Sequence, residues 1–266
     1  MISDLTQQVF FELHSQLPRE GPGNDDATAK AFSLLPSLPP QAQILDVGCG
    51  PGMQTVQLAK LTDGHITAVD LHTPYLDQLR RSLAAAGLND RVTCRQADMA
   101  DLPFAPGSFD LIWAEGAAYI LEFANALRKW RSLLKPTGYL VATELSWIRP
   151  EPPQPVVDFW RAAYPNLQSV EANLTAIKTA GYLPLAHLLL PETAWWQHYY
   201  TPLEARLPVL EQKYAGHPEA LPVLASHRQE IELFRQYSAY YGYVFYILQV
   251  DAHHPPDTPL PQFVSA

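Results

Sequence analysis

Apolar positions change period repeatedly between residues 43 and 147. Gln43-Ile44-Leu45-Asp46-Val47 is a short apolar run closed by glycine, as in a strand buried on both faces. Residues 53–61 then shift to helical spacing through Val56, Leu58 and Ala59. A second strand at 65–69 is closed by Asp70. Thr73 followed by Pro74 marks a helix start, with Leu76, Leu79 and Leu83 on one face and Gly87 as the stop. Strands are predicted at 91–95 and 109–113. The stripe Ile120, Phe123, Leu127, Trp130 and Leu134 predicts one helix over 119–134. Lys135-Pro136-Thr137-Gly138 is a turn, and 139–145 a fifth strand. Apolar strands alternating with amphipathic helices predict an α/β fold with a doubly wound sheet.

The texture changes after Trp147. Pro150, Pro152, Pro153 and Pro155 form an extended connector. Helices at 156–164 and 170–180 and a strand at 182–190 are predicted next. Segment 191–238 reads as an aromatic loop followed by helices at 202–214 and 219–237, before a last strand at 241–250. At the other end, Phe11-Glu12-Leu13-His14 suggests a helix. A glycine/proline loop, Leu17-Pro18-Arg19-Glu20-Gly21-Pro22-Gly23, leads from it to a second helix over 27–35.

Charge narrows the function classes. Lys and Arg number 18 against 27 Asp and Glu, a net charge of −9, which argues against a nucleic-acid partner. The length, 266 residues, fits one domain with an insertion. Two cysteines, Cys49 and Cys94, cannot staple a fold and suit a reducing compartment. The N-terminus lacks the basic start and apolar core of a signal peptide, and the apolar stretch 240–250 is too short to span a bilayer. The expectation is a soluble cytoplasmic protein with no membrane partner. His253 and His254 adjoin prolines and read as a solvated tail; no cluster has metal-ligand spacing, so no metal is expected.

The chemistry concentrates in Asp46-Val47-Gly48-Cys49-Gly50-Pro51-Gly52, between a strand and a helix. Glycines let the backbone approach a ligand, and the following helix points its first N–H groups at it. A dinucleotide site would want a glycine where Met53 stands. Asp70, ending the next strand, is placed to accept both hydroxyls of a ribose.

These residues resemble the class I S-adenosylmethionine-dependent methyltransferases. The matching blocks are residues 44–52, Asp70, Gln96-Ala97-Asp98-Met99, Phe109-Asp110-Leu111-Ile112-Trp113 and Leu134-Lys135-Pro136-Thr137-Gly138-Tyr139-Leu140. The resemblance implies a seven-stranded, Rossmann-like sheet whose last strand runs antiparallel beside the fifth, and S-adenosyl-L-methionine as cofactor. By it, Asp46, Gly48, Cys49, Gly50 and Gly52 surround the methionine part, and Asp70 holds the ribose. Leu71 and His72 then lie beside the adenine. Ala97, Asp98 and Met99 receive the adenine, while Ala114 and Glu115 meet the amino-acid end. Residues 10–35 and the C-terminal half resemble the small-molecule branch of that family. The implied organisation is a single methyltransferase domain, 1–266. It divides into a helical arm or lid at 1–40, a cofactor-binding core at 41–147, a substrate-side half at 148–252 with an insertion at 191–238, and a tail at 253–266.

The implied reaction is methyl transfer to a small-molecule acceptor by in-line displacement, needing mainly alignment and exclusion of water. A base is required only for an acceptor protonated at neutral pH; His14, Glu115 and His198 are the candidates. Arg19, Tyr119, Trp147, Trp195, Tyr199 and Tyr200 are candidate acceptor contacts. Of the 29 aromatic residues, 18 lie from Trp147 onward, so the aromatic excess marks the substrate side. Spare rings also suit a homodimer interface. Two other readings stay open: a non-catalytic cofactor-binding partner, and an NAD-type oxidoreductase, against which Met53 counts.

Overall fold

The computed structural model describes residues 4–253; the expected tail lies outside them from residue 254 on. The central sheet orders its strands β3-β2-β1-β4-β5-β8-β7. They are β1 (Gln43–Val47), β2 (His65–Asp70), β3 (Val92–Gln96), β4 (Phe109–Ala114), β5 (Leu134–Trp147), β7 (Tyr182–Leu189) and β8 (Tyr241–Val250). A two-residue strand, β6 (Gln168–Ser169), pairs with the end of β5 and had no sequence signal. Strands β1 to β5 are parallel, while β8 runs antiparallel to both β5 and β7. The expected α/β sheet with its antiparallel last strand inserted beside the fifth is what forms. Because β4 is covered on both faces, all six of its residues are buried.

Helices α3 (Met53–Leu61) and α4 (Thr73–Ala86) follow β1 and β2. The arm supplies α1 (Asp4–His14) and α2 (Asp25–Phe32), the latter capped by Asn24, whose side chain accepts from the Ala27 N–H. The helix expected over 119–134 is broken. A 3₁₀ turn, Ala118–Leu121, is separated from α5 (Phe123–Arg131) by Glu122 at φ 63°. The stripe survives in Phe123, Leu127 and Trp130, which are buried, whereas the break turns Tyr119 and Ile120 outward.

The second half holds α6 (Gln154–Ala163), α7 (Val170–Thr179), α8 (Glu192–Trp195), α9 (Thr201–Lys213) and α10 (Leu221–Tyr237). Where an aromatic loop was expected, Trp196–Tyr200 forms a π-helical turn that joins α8 to α9. The reason is packing. Trp195, Tyr199, Tyr200, Leu203, Leu207 and Leu210 make one buried stripe, and the wider turn keeps both tyrosines on it. Segment 191–238 grips the arm: Arg206 donates to the carbonyls of Leu13, at 2.9 Å, and Ser15. Glu12 meets the ammonium of Lys213 at 2.5 Å and accepts from the Tyr214 hydroxyl at 2.6 Å. No described helix is long and apolar enough to cross a membrane.

Two glycines separate backbone strain from crowding. Gly52 (φ 86°) precedes α3, where an added Cβ would fall 2.2 Å from Leu79 Cδ1; Gly87 (φ 68°) ends α4 in open space. Gly87→Ala is expected to cost about 1 kcal/mol, the left-handed penalty alone. Gly52→Ala should cost about 2–4 kcal/mol, adding overpacking to the same strain. Urea denaturation midpoints check the difference.

Asp46, fully buried on β1, accepts from the Thr55 hydroxyl at 2.6 Å, and burial pushes its carboxyl up to about 7. Its folded pKa therefore exceeds its unfolded one, so its contribution is complete below about pH 4 and is lost as pH rises through about 7. Asp46→Asn should flatten the stability profile across that window, read from denaturation midpoints between pH 4 and 8.

Candidate functional site

A cavity of about 500 Å³ opens above the carboxyl ends of β1, β2 and β4, where an open parallel sheet reverses its winding. Its floor is the turn after β1. Gly48 and Cys49 donate to the Val69 carbonyl, both at 2.9 Å, drawing that turn against the end of β2. Asp70 stands beside it. One carboxylate oxygen accepts from the Gly50 N–H at 2.9 Å and the other from the His72 N–H at 2.8 Å. Backbone amides from two separate turns thus fix the carboxylate's orientation and leave each oxygen a further lone pair.

The facing wall comes from the turn after β3. Asp98 accepts from the Ala100 N–H at 2.8 Å, and the Trp130 indole donates to the Met99 carbonyl at 3.1 Å. Leu71 and Ala97 complete this side. The roof is α1, through Gln7, Phe10 and Phe11, with Phe11 stacked on His72 at 4.2 Å between ring centroids. Glu20 also faces the cavity; burial pushes its carboxyl up to about 7, with Asp70 adding like charge.

Glu115, just past β4, is the most densely bonded side chain of the site. One oxygen accepts from the Thr28 hydroxyl at 2.7 Å and the Trp113 indole at 2.8 Å; the other pairs with Arg19. Arg19 is 4% exposed and lines the cavity, yet its Nε and Nη1 donors have no partner on the protein. Gly23 makes room for it, since a Cβ there would collide with the guanidinium.

The cavity gathers most of the cofactor candidates: Gly48, Cys49, Gly50, Asp70, Leu71, Ala97, Asp98, Met99 and Glu115. Asp46 and Ala114 are fully buried behind its floor, and Gly52 packs on Leu79. Among the acceptor candidates, Arg19 and Tyr119 line it. Trp147, Trp195, Tyr199 and Tyr200 do not. Trp147 meets Tyr241 edge-on, Trp195 stacks on Phe234 at 4.2 Å, and Tyr200 donates to Glu230 at 2.8 Å.

The base candidates are dispersed. Glu115 is held by three donors. His14 is 1% exposed, donates through Nδ1 to the Phe10 carbonyl at 2.9 Å, and is pushed down to about 4 by burial. Burial also lowers His198, which lies off the cavity wall. Burial pushes the Cys49 thiol up, away from the thiolate form. Sequence reasoning passed over Phe10, Glu20 and Tyr75 as wall residues; the run Arg19-Glu20-Gly21-Pro22-Gly23 was the one available signal for Glu20.

Comparison with known proteins bears on this geometry. Residues 44–138 match a methyltransferase-domain family. The chain is 31% identical over 141 residues to O-methyltransferase cnsE of Penicillium expansum, covering 52% of this chain and 51% of that one. It is 26% identical over 144 residues to the 27-O-demethylrifamycin SV methyltransferase of Amycolatopsis mediterranei, covering 52% and 53%. The match therefore spans about half the length of these relatives. Over nearly its whole length the fold resembles a solved S-adenosylmethionine-dependent methyltransferase from Thiobacillus denitrificans. The TM-score is 0.78 at 20% identity, covering 91% of this chain and 98% of that one. Matched motif region, strand order and the glycine turn facing Asp70 converge: residues 44–138 match a methyltransferase-domain family, and the whole fold is similar to that of a solved S-adenosylmethionine-dependent methyltransferase.

Proposed function

We propose that the chain transfers a methyl group from S-adenosylmethionine to a small-molecule acceptor. The observation that carries this reading is the convergence of the 48–50 turn, Asp70 and the 97–99 turn on one cavity of about 500 Å³, within the usual size range for a small-ligand site. When bound, the cofactor supplies a methyl on a sulfonium, already an activated leaving group. The protein's task is then to hold, align and keep dry.

In this reading Asp70 accepts the ribose hydroxyls with the lone pairs its two backbone donors leave free. Asp98 and Met99 face the adenine, and Phe11 and His72 close over it. The unpartnered N–H groups of Arg19 suit a carboxylate, a bonding capacity the protein itself does not use. Glu115 braces Arg19 instead of acting as base, because its oxygens are already occupied. Residues 41–147 act as the cofactor-binding core, 1–40 as the arm above it and 148–252 as the acceptor side. Both named relatives are O-methyltransferases or act at an oxygen by name, consistent with a small acceptor here.

Two experiments test the assignment. Asp70→Ala should weaken S-adenosylmethionine and S-adenosylhomocysteine binding about 100-fold in calorimetric titration, the loss of about 3 kcal/mol of bonds to a charged group. Unchanged affinity removes Asp70 from the site, and no binding of either molecule to the unmodified protein refutes the reading. Arg19→Met should cost about 3–5 kcal/mol of stability by stranding Glu115 unpaired. Adding Glu115→Gln should restore much of that stability but not cofactor affinity; recovery of both would make Arg19 purely structural.

A further inference from the structure

Arg19 and Glu20 are consecutive residues of the loop between α1 and α2. They carry opposite charges, and both line the cavity. They do not pair with each other. Among the described residues Arg19 bridges Glu115, and Glu20 makes no ion pair. Arg206, whose charge reaches Glu20, donates instead to the Leu13 and Ser15 carbonyls. Opposite charges that face one cavity and stay apart suit a ligand carrying the complementary pair.

Glu20 is placed by its stem. Its Cγ lies 3.5 Å from where a Cβ on Gly50 would stand, so the side chain packs on the glycine turn. Oε1 is shut in without a hydrogen-bond partner, toward the Tyr75 phenol, and Oε2 is the oxygen left open. The other carboxylates of the cavity are provided for: Asp70, Asp98 and Glu115 each accept a hydrogen bond of 2.9 Å or less. Glu20 faces Asp70 at the end of β2, Tyr75 on α4 and Arg206 on α9. Burial and the like charge of Asp70 hold its carboxyl up at about 7, the state of a carboxylate short of a cation. Arg19 shows the converse, with Nε and Nη1 donors that lack an acceptor.

We propose that Arg19 and Glu20 form a clamp for the amino-acid end of the methyl donor, with Glu20 the residue that reads its α-ammonium group. This inference rests on the methyl-transfer reading above and deepens it. An α-amino acid bears a carboxylate and an ammonium on one carbon. Arg19 meets the first and Glu20 the second, each by a charge-assisted bond. The cavity thereby prefers nucleosides whose sulfur chain ends in a free α-amino acid. Both charges belong to the arm, so the arm recognises the amino-acid end while the floor recognises the nucleoside.

The test is calorimetric titration at about pH 8, where Glu20 and an α-ammonium are both charged. The ligands are S-adenosylhomocysteine, its analogue lacking the amino group, and 5′-methylthioadenosine, which lacks both charged groups. The unmodified protein should bind S-adenosylhomocysteine at least about tenfold more tightly than the analogue without the amino group. Glu20→Gln keeps the stem against Gly50 and removes the charge. It should weaken S-adenosylhomocysteine at least about tenfold and leave the other two ligands within about twofold. Indifference of the unmodified protein to the amino group overturns the proposal without recourse to any variant. A preference that survives Glu20→Gln, or a loss that falls equally on all three ligands, overturns it as well. Failure of S-adenosylhomocysteine to bind the unmodified protein refutes the methyl-transfer reading itself, whereas binding with no regard for the amino group refutes the clamp alone.

Discussion

The site depends on how one buried carboxylate is satisfied. Glu115 sits at the end of a fully covered strand, where an unpaired charge is very costly. Its three donors come from three places: Arg19 from the arm's loop, Thr28 from α2 and Trp113 from β4. Satisfying the charge therefore fixes where the arm crosses the sheet. It also decides what the arm offers the cavity, since pairing through one nitrogen leaves the other donors of Arg19 without partners. The roof formed by α1 and the orientation of the glycine turn are arranged around that junction.

The parts of the molecule that were legible in sequence are those whose signal is local. The glycine turn and Asp70 lie on consecutive strand ends, so their spacing along the chain is also their spacing in space. The bounds expected for β1 and β8 coincide with those observed. Local signals fail where a tertiary contact overrides them. The stripe through Ile120 and Phe123 promises an unbroken helix, yet Glu122 at φ 63° ends one turn and begins another. The chain gives up helical hydrogen bonds there and gains Tyr119 on the cavity wall. Segment 195–200 failed in the opposite sense. Its aromatic run suggested a loop, but the spacing from Trp195 to Leu210 is a helical stripe interrupted by a single wide turn.

Contacts between elements distant in the chain were the least legible. Glu144 lies near the carboxyl end of β5, in mid-sheet with neighbours on both edges, and is buried there. Tyr164, at the end of α6, donates to it at 2.6 Å, and no local pattern announces that meeting. The cavity floor is assembled from consecutive turns, whereas Arg19 and Thr28 of the arm reach Glu115 from 96 and 87 positions away. The first is built from spacing, the second from packing.

The clasp between arm and insertion has a consequence for the life of the chain. Arg206 reaches back 193 positions to the Leu13 carbonyl, and Lys213 reaches back 201 to Glu12. During synthesis the arm emerges well ahead of its anchor, which is made 193 positions later. The sheet's parallel core from β1 to β5 can form while α1 still has nothing to dock on, and contacts so distant in sequence are slow to close. A growing chain therefore presents an open glycine turn and an exposed Phe10 and Phe11 until α9 arrives. The roof over the cavity is a late addition to a floor already laid, and a ligand resting on that floor would meet the arm as it closes.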